Sequence, residues 1–243
     1  MPEGPSIVIL REEAARFTGR TVQEVSGNAK IDLERMQGKT VNAFASWGKH
    51  FLICFDGFYL RIHLLLFGSY RINEQRDIKP RLHLKFDNGE LNFYNCSVRL
   101  QEGSPDDVYD FEVDTMSETW NAAKALKAVN KGSSRMVCDV IMDQSIFSGA
   151  GNIIKNEVLY LQRIHPESKT GKLSLYKRKK LVTAVHDYCF DFYRWKKVYE
   201  LKKHYQVYTK SVCPNCGGKI TRKHTGLGNR RSFFCTHCQK LYK

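Results

Sequence analysis

Asp143-Gln144-Ser145-Ile146-Phe147-Ser148-Gly149-Ala150-Gly151-Asn152 separates two helical patterns. SRMVCDVIMD, residues 134–143, precedes it with apolar side chains at a 3.6-residue period, and NIIKNEVLYL, residues 152–161, resumes that period after it. Gly149 and Gly151 break the run, and Asn152 is placed to cap the following helix. Helix N-termini and exposed turn amides attract anions, so a Gly-x-Gly-Asn turn in a basic chain suits a phosphate clamp. On these residues alone, a plain helix-to-helix turn explains the pattern equally well.

Outward from this turn the chain sorts into three parts. WNAAKALKAV (120–129) and KLSLYKRKKLVTAVHDYCFDFYRWKKV (172–198) continue the helical period on either side. Upstream, the segments VNAFASW, HFLICF, FYLRIH, RLHLKF and LNFYN, all within 41–95, are short and rich in aromatic and β-branched residues. Asp56-Gly57 and Asn88-Gly89 between them are hairpin signals. Ahead of the strands, Ile7, Leu10, Ala14 and Phe17 predict a helix after Pro5. Residues 103–118 are acidic and read as a linker. The expected order is a β-rich sandwich with an N-terminal helix, an all-helical domain, and a small cysteine-rich end.

The chain has 243 residues, with 39 Lys and Arg against 25 Asp and Glu, a formal net charge of +14. Such an excess points to a polyanionic partner, nucleic acid first and an anionic membrane surface second. No apolar run approaches 18 residues, so a membrane span is not expected. The start, Met1-Pro2-Glu3-Gly4-Pro5, lacks the basic and apolar regions of a secretory signal, and an intracellular protein is expected.

Of eight cysteines, Cys54, Cys96, Cys138 and Cys189 stand singly in apolar segments and read as small buried residues. The others form Cys213-x2-Cys216, eighteen residues, then Cys235-x2-Cys238. Two such pairs supply four thiolates to one tetrahedral structural zinc ion. Two disulfides are the alternative, disfavoured in an intracellular setting. Four thiolates close the coordination sphere, so the metal would hold the hairpin tip, residues 226–232, rather than react. That tip carries Asn229, Arg230 and Arg231. Adjacent arginines on a rigid turn suit phosphate contacts, or are simply solvated charges.

Met1-Pro2 is a pair from which the methionine is normally trimmed. The exposed proline would be a secondary amine beside Glu3, partly neutral and nucleophilic near pH ~8. By itself this opening is weak evidence, because many proteins begin this way. MPEGP, a Gly48-Lys49 pair read as part of a strand, DQ-x4-G-x-G-N and a terminal four-cysteine knuckle with an arginine occur here in one order. Together they resemble the formamidopyrimidine-DNA glycosylase/endonuclease VIII family over nearly the whole chain.

The resemblance implies an α+β multidomain fold: an antiparallel β-sandwich catalytic domain (1–116), a helix–two-turns–helix DNA-binding domain (117–205) and a four-cysteine zinc finger (206–243). It implies a bifunctional DNA glycosylase and abasic-site lyase of base excision repair. Pro2 would attack the anomeric carbon of a damaged nucleotide, with Glu3 as acid/base and Lys49 on a nearby phosphate. Asn152 and Arg230 would grip the backbone. His63 and the following Leu66 and Phe67 lie where the family carries its void-filling loop, although a buried strand is the competing reading for Leu64 and Leu65. The implied partner is damaged DNA, the implied cofactor one structural zinc ion, with no redox or nucleotide cofactor. A monomer without an obligate protein partner is expected, cytoplasmic if bacterial and nuclear if eukaryotic.

The chain also departs from the pattern. Ser6 stands where many members have a second glutamate. Asn95–Leu100 replaces the DPRRFG segment of the oxidised-guanine branch, and residues 195–208 lack that branch's glycine-rich loop. Both differences favour the endonuclease VIII-like branch and oxidised pyrimidines. The competing function is a catalytically silent zinc knuckle that binds DNA or RNA. It accounts for charge and cysteines but not for Pro2-Glu3. A membrane-surface scaffold has little support.

Overall fold

The computed structural model describes residues 2–243; Met1, whose removal the amine chemistry requires, lies outside them. The chain divides into two compact units, one ending at Asp110 and the other running from Phe111 to Lys243.

The first unit opens with α1 (Gly4–Ala14). It continues through β1 (Glu24–Ser26), β2 (Ala43–Trp47), β3 (His50–Cys54), β4 (Phe58–His63), β5 (Ser69–Ile72), β6 (Leu82–Phe86), β7 (Gly89–Tyr94) and β8 (Ser97–Glu102). Two four-stranded antiparallel sheets form, in the orders β1-β6-β7-β5 and β2-β3-β4-β8. Alternation drives the packing: Leu82, Leu84 and Phe86 are buried while His83 and Lys85 between them are not. Leu82, Leu84, Leu91 and Phe93 of one sheet share a core with Phe51, Ile53, Leu60 and Ile62 of the other. Ile7, Leu10 and Ala14 of α1 fill the same core, and α1 lies on β2 and β3. The sandwich and its two hairpins follow the expectation. The short strands β1 and β5 carry too few residues to show a period.

The second unit contains α2 (Ala122–Lys131), α3 (Val137–Met142), α4 (Asn152–Leu161), α5 (Leu175–Lys197) and the hairpin β9 (Thr221–Thr225) and β10 (Arg230–Phe234). Val129, Val140, Ile154, Val158, Leu181 and Val185 join the helices in one core. A smaller cluster of Tyr160, Val207, Ile220 and Phe233 seats the hairpin on α4. Residues 103–118 are not a single linker. Beyond the unit boundary, Val113, Asp114 and Thr115 are buried. Thr115 donates its N–H (3.1 Å) and its hydroxyl (2.9 Å) to the Ser148 carbonyl. This segment therefore buttresses the turn between α3 and α4. Its acidic composition hid that role, because Asp114 is spent on the backbone N–H of Met116.

Candidate nucleic-acid interface

At the N-terminus, Pro5 sits in the first turn of α1, where its missing N–H wastes no donor, and Glu3 occupies the N-cap position (φ −125°, ψ 172°). The Glu3 carbonyl accepts from Ser6 N–H at 2.8 Å, while its side chain does not cap the helix. Glu3 is fully buried and Pro2 half-buried. Ser6, the family's second-glutamate position, is buried with no hydrogen-bond partner for its Oγ among the described residues.

Lys49 lies in a two-residue turn rather than in a strand. Trp47 pairs with His50 across it, and Gly48 at φ +53° reverses the chain. Register then aligns Trp47, His50, His63 and Ser97 across β2, β3, β4 and β8. The His50 and His63 rings lie 5.5 Å apart, and Trp47 stacks on Tyr109 at 5.0 Å. Burial, then the charges of Arg61, His63 and Lys49, push His50 down to about 4. Burial, then Lys49 and Arg61, lowers His63. Both rings are therefore neutral at physiological pH. Leu65 N–H donates to His63 Nδ1 at 3.1 Å, which leaves the ring proton on Nε2 as a donor.

The same bond starts the loop after β4. Gly68 N–H closes it onto Leu64 O at 2.7 Å. A Cβ on Gly68 would sit 2.0 Å from that carbonyl, so only glycine closes this loop. Leu64 is buried as the competing reading expects but lies just past the end of β4, and Leu65 is half exposed in a turn. Leu66 is 44% exposed and Phe67 84%. Two bulky apolar side chains on a closed loop are poorly placed for folding and well placed for insertion elsewhere.

In the second unit, Gly151 rather than Asn152 is the N-cap of α4, which corrects the capping role read from sequence. Asn152 is the first helical residue, and its Nδ2 donates to Arg231 O at 3.0 Å. Its buried Oδ1 has no hydrogen-bond partner among the described residues. The turn before it is stapled by Gln144, whose Nε2 donates to Met142 O and Ala150 O and whose Oε1 accepts from Gly149. Arg230 and Arg231 are exposed at the start of β10. The tip before them is set by Asn229 at φ +45° and Gly226 at φ +71°. A Cβ on Gly226 would lie 2.1 Å from Asp139 Oδ1, so α3 presses directly against the hairpin tip.

The four sulfurs of Cys213, Cys216, Cys235 and Cys238 all lie within 4.8 Å of one another. Cys213 and Cys238 are 3.7 Å apart and Cys216 and Cys235 3.5 Å, far beyond a disulfide bond. A tetrahedral metal with bonds of about 2.3 Å would place its sulfurs about 3.8 Å apart, so the cluster fits a metal ion. Tyr160 OH (3.3 Å to Cys213) and Asn215 Nδ2 (3.3 Å to Cys238) supply outer donors to the sulfurs. Sequence reasoning missed both, since Tyr160 lies on α4 and Asn215 is one of the two unspecified residues inside Cys213-x2-Cys216. It also missed Lys155, Asn156 and Glu157, which belong to no motif in the sequence.

An antiparallel sandwich, a helical domain with a glycine-rich turn and a four-cysteine hairpin define a class of multidomain protein with an exposed cationic grip. The formamidopyrimidine-DNA glycosylase N-terminal domain model matches residues 1–100, and the formamidopyrimidine-DNA glycosylase H2TH domain model matches residues 112–189. The chain belongs to the formamidopyrimidine-DNA glycosylase/endonuclease VIII family. Endonuclease 8-like 3 of Bos taurus is 33% identical over 224 residues, covering 88% of this chain and 37% of that protein. Endonuclease 8-like 2 of Homo sapiens is 36% identical over 199 residues, covering 75% of this chain and 58% of that protein. The chain thus spans between a third and three-fifths of these relatives' length. Among solved structures, a Lactococcus lactis formamido-pyrimidine DNA glycosylase bound to abasic-site DNA superposes with a TM-score of 0.85 at 23% identity, over 98% of this chain and 99% of that one. A viral DNA glycosylase gives 0.86 at 21% identity, over 98% and 100%. At these identities the two structures establish the fold. No helix among the described residues is long and apolar enough to cross a membrane.

Proposed function

We propose that this protein is a bifunctional DNA glycosylase and abasic-site lyase of base excision repair, acting on oxidised bases and preferring pyrimidines. The observation that carries the reading is the fully buried Glu3 beside Pro2 at the head of α1, in a chain of this family. With Met1 removed, the Pro2 nitrogen bonds to C1′ of the damaged nucleotide as the C1′–base bond breaks, and the base departs with a proton. Glu3 delivers and recovers protons during opening of the sugar ring. The resulting iminium ion draws electrons from C2′ after loss of a C2′ proton, which expels the 3′ phosphate. A second elimination expels the 5′ phosphate, and water returns the amine.

Lys49 and the Nε2–H of neutral His63 hold phosphates beside the extruded nucleotide. Leu66 and Phe67 fill the vacated stack. Asn152 and Arg230 grip the backbone. The four cysteines hold one structural zinc ion, which keeps the Arg230 hairpin in shape and takes no part in bond making. The pyrimidine preference draws on residues 195–208. Glu157 accepts the N–H groups of Gln206 (2.8 Å), Val207 (3.1 Å) and Tyr208 (2.7 Å) and ties this segment to α4. A segment so tethered has no slack to fold over a purine. We assign catalysis to residues 1–116, DNA binding to 117–205 and the zinc finger to 206–243, in a monomer acting wherever the cell keeps its DNA.

Borohydride reduction with abasic or oxidised-pyrimidine DNA tests the reading. An adduct that maps to Pro2 supports it. Tight binding without any adduct, from protein shown by mass spectrometry to begin at Pro2, overturns it in favour of a silent DNA-binding module.

A further inference from the structure

Asn152, Lys155 and Asn156 fall at i, i+3 and i+4 of α4 and therefore share one helix face. That face lies on β10. All three side chains reach a single backbone oxygen, Arg231 O: Asn152 Nδ2 at 3.0 Å, Lys155 Nζ at 3.4 Å and Asn156 Nδ2 at 3.4 Å. Asn156 Oδ1 also accepts from Phe233 N–H at 2.8 Å. Lys155 is 1% exposed, and its Nζ makes a second, shorter bond to Ser232 Oγ at 2.8 Å. Ser232 Oγ lies 2.6 Å from Thr225 Oγ1, and Thr225 pairs with Arg230 across the hairpin.

An ammonium only donates, so Lys155 gives the proton of its bond to Ser232 Oγ, and that hydroxyl shares a hydrogen bond with Thr225 Oγ1 across the hairpin. An apolar side chain at position 155 would be cheaper to bury than a charge. The network instead orders both strands at the residue that faces Arg230. We propose that Lys155 is a positioning residue that fixes Arg230 relative to Asn152, so that the two engage the nucleic-acid backbone as one unit. The inference rests on the reading of Arg230 as a phosphate ligand. Lys155 itself meets no solvent and no phosphate.

The test compares the full zinc-loaded chain with Lys155→Met, Arg230→Ala and the double variant. The probe is a duplex carrying a tetrahydrofuran abasic analogue, and Kd is measured across a salt series. Arg230→Ala flattens the slope of log K against log salt by ~0.9, one lost phosphate contact. Lys155→Met is expected to weaken binding about tenfold and to flatten the slope by the same ~0.9, although it removes no phosphate ligand. The double variant is expected to bind no more weakly than Arg230→Ala alone. An unchanged slope in Lys155→Met, or penalties that add, overturns the proposal while leaving the Arg230 reading standing. An unchanged slope in Arg230→Ala overturns both. Should Lys155→Met lose zinc or fail to melt cooperatively, Ser232→Ala, which removes the hydroxyl that links Lys155 to Thr225, is judged by the same slope and additivity.

Discussion

The head of α1 and the face of α4 solve opposite problems with similar materials. At the head of α1, Pro2 and Glu3 are adjacent in sequence, so the chain itself keeps an amine and a carboxylate together. On α4, Asn152 and Arg230 stand 78 residues apart. An apolar cluster and a buried polar network, with Asn152, Lys155 and Asn156 around the Arg231 carbonyl, bring the hairpin onto the helix. The first region carries chemistry that a short sequence can encode. The second carries position, which needs a folded core and, on the proposed reading, the metal that the four cysteines fit. Damage to the first should abolish reaction and spare binding; damage to the second should do the reverse.

The sharpest break is at Pro2. Pro2→Gly, or a retained Met1, is expected to lower strand cleavage by on the order of 10³-fold or more, the scale of losing a nucleophile, with Kd for abasic-analogue DNA nearly unchanged. Strand-cleavage assays beside binding curves check this, and full cleavage by Met1-retaining protein refutes the amine mechanism. Next comes the metal. Chelation, or Cys216→Ser, should release the hairpin and weaken DNA binding roughly a hundredfold, because structural sites supply folding energy outright. Zinc content and Kd report it, and unchanged affinity after complete metal loss would detach the hairpin from binding.

The loop after β4 should give a smaller, divided effect. Phe67→Ala, alone or with Leu66→Ala, is expected to slow excision of a paired oxidised base about tenfold, since extrusion costs a few kcal/mol. Cleavage at a ready-made abasic site should change little, and equal loss on both substrates would mean these residues do not fill the stack. The smallest effect is on stability. Folding keeps His50 neutral, so between pH 6.5 and about 4 the unfolded chain binds a proton that the folded chain refuses. Stability is therefore complete above that window and falls as pH drops through it, with His63 acting in the same direction. His50→Gln should make the melting temperature less dependent on pH there, measured by calorimetry.

Much of this was readable from residues alone where function depends on neighbours in the chain. The hairpin signal at Asn88-Gly89 and the C-x-x-C pairs are both short-range. Readings that depended on distant partners went astray or were absent. Asn152 looked like a cap because capping is a local rule, yet its amide is committed to a carbonyl 79 residues away. Lys49 looked like a strand lysine because the two-residue turn is defined only once Trp47 pairs with His50. Residues 111–115 looked like a linker because acidic composition does not show what the backbone bonds to.

The helix that follows the glycine-rich turn shows the division most clearly. Sequence by itself determined that NIIKNEVLYL is a helix with an apolar stripe, because the 3.6-residue period is written in side-chain hydrophobicity. By that logic Lys155, Asn156 and Glu157 belong to a wet face. The tertiary structure buries all three, under a hairpin and a strap contributed by residues 206–234. Burial of polar groups is affordable only where distant donors and acceptors meet them, and that match exists only after the chain has folded.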